Sequence, residues 1–224
     1  MKFKVLIISV LFVCSLLIGI SLAHNKVVVV PLFSDCSEEI TTVTSANGRV
    51  WMDRNLGADR VAESADDPLA YGWLFQWGRL DDGHQVPISN TNSTLSNGDV
   101  PGHTDFITTN SDPNDWRSPQ NDNLWQGVSG INNPCPSGFR LPTNAEWETE
   151  TASWSSKDEA GAFASPLKLV AAGYRDYTDG SFSEDGYFWS STTEGPEAYN
   201  LELDNAILSS ESRAWGQSVR CIKD

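Results

Sequence analysis

NPCPSGFRLPTNAEW, residues 133–147, holds a strand, its stop and a helix start in one short run. Gly138 to Leu141 predicts a short strand that Pro142 ends, because proline has no N–H to give to a ladder. Thr143 and Glu146 have the spacing of a capping box, in which each side chain satisfies the other residue's backbone N–H, so a helix is expected from Asn144 to about Ala152. Phe139, Leu141 and Trp147 then fall where strand meets helix, which is a core position. Arg140 is near enough in sequence to pair with Glu146 or to tie down loop carbonyls. The capping box accounts for the glutamate, and a catalytic role for Glu146 is the competing reading.

Toward the C-terminus the pattern is that of short strands: Leu167 to Ala171, Tyr187 to Ser191, Tyr199 to Leu203, Ala206 to Ser210 and Ser218 to Ile222. Thr178-Asp179-Gly180 and Asp204-Asn205 supply turns that join neighbours into hairpins. Toward the N-terminus, Gly48 to Leu56 reads as a strand with Val50 and Met52 as the core face and Trp51 opposite. Asp67 and Pro68 resemble a helix start, and aromatics recur at helical spacing up to Gly78, so a helix is expected over Pro68 to Trp77 despite Gly72. Arg79 to Asn133 is rich in Asn, Asp, Ser, Thr, Gly and Pro. Phe106, Trp116, Leu124 and Trp125 are scattered apolar anchors that argue for order in this long loop region.

The chain has 224 residues, nine tryptophans and a formal net charge of -15. The aromatic mass is enough for a real core, and the acid excess without a basic stripe excludes nucleic acid as a partner. Residues 1–23 read as a signal peptide: Lys2 and Lys4, an apolar run from Val5 to Ile20, then small residues at Ser21 and Ala23. An uncleaved anchor is the alternative, and only then would the protein meet a membrane. Either way the bulk of the chain is expected outside the cytoplasm, secreted or at the cell surface. Residues 24–45 form an N-terminal arm whose valines, Val27 to Val30, favour a strand, packed on the domain edge or donated to a neighbour. Of the three cysteines beyond the signal, Cys135 and Cys221 enclose the back half. A bridge there would remove roughly 4 kcal/mol of unfolded-state entropy. Cys36 is left over, as a link to another chain or an idle thiol.

The segments GRVWMDRNL (48–56), NDNLWQG (121–127), residues 133–147, GYFWSS (186–191) and SVRCIK (218–223) occur in an order that resembles the Fibrobacter succinogenes major paralogous domain family. The resemblance covers roughly Cys36 to Asp224. It implies a secreted or surface-exposed protein whose residues 46–224 form an α+β domain with a C-type lectin-like fold, two helices flanking small twisted antiparallel sheets, with long irregular loops and termini close together. The formylglycine-generating enzymes share that wider fold, but they rely on two cysteines a few residues apart near the C-terminal end, where this chain has only Cys221. Sulfatase-modifying activity is therefore set aside.

Trp116, Trp125, Tyr174, Trp189 and Trp215 are the aromatics that could stack on a sugar, although strand aromatics such as Trp189 are usually internal. Asp112, Asn114, Asp115 and Asp122 offer oxygen ligands of the kind calcium needs, yet their spacing matches no EF-hand loop and turn chemistry also explains them. Zinc has no paired ligands among His24, His84 and His103. No nucleophile elbow, phosphate-binding glycine loop or Cys–His pair appears. The expectation is a non-enzymatic binding module with no cofactor except possible calcium. It would recognise glycan or a cell-surface protein, with a structural or adhesive subunit assembling through its arm as the alternative.

Overall fold

The computed structural model describes the backbone of residues 17–23 and 26–32 and all of residues 40–224. His24, Cys36 and the residues before Leu17 lie outside the described residues. The chain divides into two units, Met1–Glu39 and Ile40–Asp224. In the first, β1 (Leu17–Ala23) pairs antiparallel with β2 (Lys26–Leu32), which contains the valine run. The second unit begins within the stretch read as the arm, because β3 (Thr42–Thr44) is the first strand of its own sheet.

That sheet has four strands in the order β3, β4 (Val50–Met52), β15 (Ile222–Lys223) and β8 (Phe139–Arg140). A seven-stranded sheet is built from β5 (Leu74–Gln76), β9 (Tyr174–Arg175), β10 (Phe182–Ser183), β11 (Tyr187–Glu194), β12 (Glu197–Glu202), β13 (Ile207–Ser212) and β14 (Gly216–Ser218). Its hub is β14, which meets β5 and β9 antiparallel and β11 parallel. Such convergence needs a residue without a side chain: a Cβ on Gly216 would lie 2.8 Å from the Phe106 ring and 3.1 Å from Arg175 Cβ. A short parallel pair joins β6 (Thr91–Asn92) to β7 (Phe106–Ile107). With α1 (Asn144–Ala152) and α2 (Glu159–Ala164), the described unit is an α+β protein made mostly of sheet.

The capped helix forms where its sequence places it. Thr143 Oγ1 accepts from Glu146 N, and Glu146 Oε2 accepts from Thr143 N at 2.8 Å. Trp147 then packs on Trp51, with ring centroids 4.9 Å apart, and on Phe188. Around them Trp154, Leu167, Leu201, Leu203 and Ile222 close one core cluster under the helices. A second cluster, with Phe75, Trp77, Trp116, Trp125, Trp189 and Val219, lies between the seven-stranded sheet and the long polar loop region. The disulfide Cys135–Cys221 joins the approach to β8 to the stretch between β14 and β15, across a sequence separation of 86.

Four local expectations are corrected. Pro68 to Trp77 is not a helix: Pro68–Ala70 makes one 3-10 turn, capped by Asp67 as its sequence suggests, and Leu74–Gln76 is a strand. Gly72 is the cause, since its φ of +73° leaves the helical region and a Cβ there would meet Leu56 O at 2.5 Å. Trp51, not Val50 and Met52, is the fully buried residue of β4, because α1 covers its face through Trp147. Leu167 to Ala171 makes no strand pairing, although Leu167, Leu169 and Val170 are buried; Lys168 at φ +47° turns the backbone, and Leu167 O is taken by Arg220. Ser218 to Ile222 splits into β14 and β15, which serve different sheets.

Candidate functional site

Trp116, Trp125 and Trp189 are core residues with no exposed surface, so the structure contradicts their reading as a ligand platform. Each indole N–H is spent on a main-chain carbonyl: Trp116 on Trp77 O (2.7 Å), Trp125 on Asn132 O (2.8 Å) and Trp189 on Phe75 O (2.8 Å). A buried indole needs such an acceptor: Trp116 clips the polar loop region to the end of β5, Trp125 ties that region to itself, and Trp189 ties β11 to β5. Three further side chains do the same work. Arg79 donates to Asp105 O and His103 O while paired with Asp82, Asn132 Nδ2 reaches Gly78 O and Asp99 O, and Gln76 Nε2 reaches Ile107 O and Ala214 O.

The proposed calcium ligands are likewise dispersed. Asp115 is buried, where it accepts from Gln120 Nε2 and Arg117 N, and burial pushes its carboxyl above the usual range. Asp122 is paired at 2.6 Å with Arg213, whose guanidinium lies over the Trp77 ring. Asn114 is a turn residue at φ +56° whose carbonyl accepts from Ala214 N, and Asp112 is exposed. Among the described residues no three His, Cys, Asp or Glu side chains are grouped as a metal ion requires.

Glu146 is fully engaged. Burial favours its neutral form, but the bidentate bonds from Arg140 at 2.8 and 2.9 Å, with the Thr143 N–H, bring its pKa down to about 2. His84 is fully buried, and desolvation lowers its pKa to about 4 despite Asp82 Oδ1 at 2.7 Å from Nδ1. The neutral ring accepts from Gln76 N through Nε2, so its tautomer is fixed and it braces β5.

Tyr174 and Trp215 stand differently. Both are half-buried, and with Tyr187, Glu211 and Gln217 they line a cavity of about 180 Å³ on the seven-stranded sheet. The geometry follows from the strand order. Tyr174 comes from β9, Tyr187 from β11, Glu211 from β13, Gln217 from β14, and Trp215 from the turn that enters β14. Tyr174 stands nearly perpendicular to Tyr187 (80°, centroids 5.4 Å apart) and to Trp215 (81°, 5.0 Å), which makes a three-walled aromatic corner. Tyr177 backs Trp215 from 4.8 Å. On the polar side, Glu211 accepts from the Trp215 side chain; burial and the charges of Glu197 and Glu202 nonetheless raise its pKa. The Tyr187 hydroxyl donates to Glu202 Oε1 at 3.3 Å, and burial together with that carboxylate pushes the phenol up as well.

Gln217 completes the floor. Its side chain is 2% exposed; Oε1 accepts from Asn200 Nδ2 at 3.1 Å, and Nε2 makes no hydrogen bond to the described residues. Sequence reading singles out Tyr174 and Trp215, but it misses Glu211 and Gln217. Their signal is the pairing register: β11, β12 and β13 set Tyr187 opposite Glu202 and Glu211 opposite Ala198, a register that no local pattern encodes.

Compared with known proteins, the chain matches no family model, no curated protein and no solved structure.

Proposed function

We propose that this chain is a secreted or cell-surface recognition module of the Fibrobacter major paralogous domain kind, with a C-type lectin-like fold and no catalytic role, and that it holds part of a glycan or of a surface protein at the aromatic corner of Tyr174, Tyr187 and Trp215. The observation that carries this reading is the contrast among the tryptophans. Seven of the nine, Trp51, Trp77, Trp116, Trp125, Trp147, Trp154 and Trp189, are consumed by the core; of the two that are half-buried, Trp73 and Trp215, it is Trp215 that lines a cavity with two tyrosines and an amide donor.

The fold assignment draws support from the capped helix behind β8 and from β15, which lies between β4 and β8 and so brings the last strand next to the first hairpin of the unit. Export is supported by the signal-like leader and by the disulfide, which suits an oxidising compartment. No described helix is long and apolar enough to cross a membrane. The absence of chemistry is a proposal that rests on occupancy: Glu146, for which a catalytic role is the competing reading, is held in an ion pair with Arg140, and the buried His84 ring is held between Asp82 and Gln76 N.

A glycan array and a panel of surface-protein peptides, run with and without chelator, test the reading. Binding is expected to survive the chelator and to vanish in Trp215→Ala. Turnover of a substrate that stops when a single buried side chain is replaced would overturn it.

A further inference from the structure

Two carboxylates, Glu202 and Glu211, edge the aromatic corner without a cation to match them, and a third, Glu197, stands on the strand beside Glu211. Glu202 touches Tyr187, Glu211 touches Trp215, and the charges of Glu197 and Glu202 act on Glu211. Among the described residues none of the three forms an ion pair. The described arginines are committed elsewhere: Arg175 lies over Phe106 and bonds Ser89, and Arg213 goes to Asp122. Burial first, and then the like charges of Glu197 and Glu202, push the Glu211 carboxyl upward, so a cation seated beside it would relieve an unfavourable charge. Tyrosine and tryptophan faces carry negative quadrupole potential, which attracts a desolvated cation. Ring walls at right angles and a carboxylate at the edge are the parts of an ammonium-binding box, while the unused Gln217 N–H at the floor is a donor that meets an acceptor elsewhere on the guest and not the cation itself.

Resting on the recognition reading above, we propose that the group seated between Tyr174, Tyr187 and Trp215 is an organic ammonium ion, alkylated or carried on an alkyl chain, with Glu211 supplying the counter-charge. Size favours this guest over a whole sugar. A cleft of about 180 Å³ is of the order that admits a guest of about six heavy atoms, which a trimethylammonium head fills, whereas a hexose would leave part of its ring outside. The net charge of -15 adds long-range attraction for cations of any kind, so selectivity has to come from the box itself.

The test titrates the full chain by calorimetry with four probes: choline, a short peptide carrying trimethyl-lysine, a neutral choline isostere with tert-butyl in place of trimethylammonium, and N-acetylglucosamine. Either cation is expected to bind about tenfold or more tightly than the neutral isostere. Glu211→Gln, which keeps every aromatic wall, should lose about fivefold or more of the cation affinity and leave the isostere unchanged, with thermal unfolding confirming that the variant is folded. Equal affinity for choline and its isostere, or an unaltered cation affinity in folded Glu211→Gln, overturns the proposal. A sugar bound in a Trp215-dependent way, with both cations ignored, would also overturn it while leaving the recognition reading intact. A cavity that takes none of the probes, together with an array unchanged by Trp215→Ala, would remove both.

Discussion

Removing the Cys135–Cys221 bridge tests the architecture most directly, because the cross-link closes a loop spanning 86 positions that includes α1, α2 and most of the seven-stranded sheet. In the chain-entropy description, freeing a loop of that length returns about 15 cal/mol/K to the unfolded ensemble, or about 4.6 kcal/mol at room temperature. With a urea m-value of about 2–3 kcal/mol/M for a unit of this size, the midpoint should fall by about 1.5–2.3 M. The paired variant Cys135→Ala/Cys221→Ala, followed by tryptophan fluorescence in urea, measures this. Reduced wild-type protein is the companion, since it keeps both sulfurs in place and isolates the cross-link from the small cavity left by Cys221, which is buried in the core. Agreement between the two forms would assign the loss to chain entropy. A midpoint shift below about 0.5 M in both would refute the reasoning and mean that the unfolded chain is already restricted by other means.

Three other perturbations have definite outcomes. Glu146 has a pKa held near 2 in the folded protein against an ordinary 4.5, so the unfolded chain binds the extra proton first and stability falls as pH drops from 4.5 toward 2; Glu146→Gln should show a shallower acid limb in urea unfolding over that window. His84 is displaced downward to about 4 from 6.5, so its neutral form contributes stability that is fully present above pH 6.5 and declines as pH falls to 4. NMR titration should find its ring unprotonated at pH 5, and a ring charged at pH 6 would contradict the burial argument. Gly72→Ala places a methyl 2.5 Å from Leu56 O at a φ of +73° and should cost about 1–3 kcal/mol by thermal or urea unfolding. An unchanged melting temperature would mean that this turn relaxes freely.

How much of this was legible in the sequence depended on the range of the signal. The helix Asn144–Ala152 was readable because its cap is local, two side chains three residues apart bonding each other's backbone. The hairpin turns at Thr178 to Gly180 and at Asp204 and Asn205 were readable for the same reason. The aromatic block after Pro68 misled because Leu74, Phe75 and Gln76 are all buried, and a strand covered on both faces has no period-two alternation to distinguish it from a helix. The short helix Glu159–Ala164 offered too few residues for a period to show. At the site, Tyr174 and Trp215 were visible as aromatics in a hairpin region, but Trp116, Trp125 and Trp189 carried the same signal. What separates them is whether a main-chain carbonyl lies within reach of the indole, and that is decided by distant strands.

The fasteners of the polar region have a consequence for how this protein can change. Arg79, Asn132, Trp116 and Trp125 grip main-chain carbonyls at His103, Asp105, Asp99, Trp77 and Asn132, and a carbonyl is present whatever the residue that carries it. Outward-pointing positions such as Ile88, Val100 and Ile131 stand clear of these fasteners. The outer skin of the segment can therefore be rewritten, by evolution or by a library builder, with the inner rivets unchanged, which makes it a natural place to graft new specificities onto a fixed chassis.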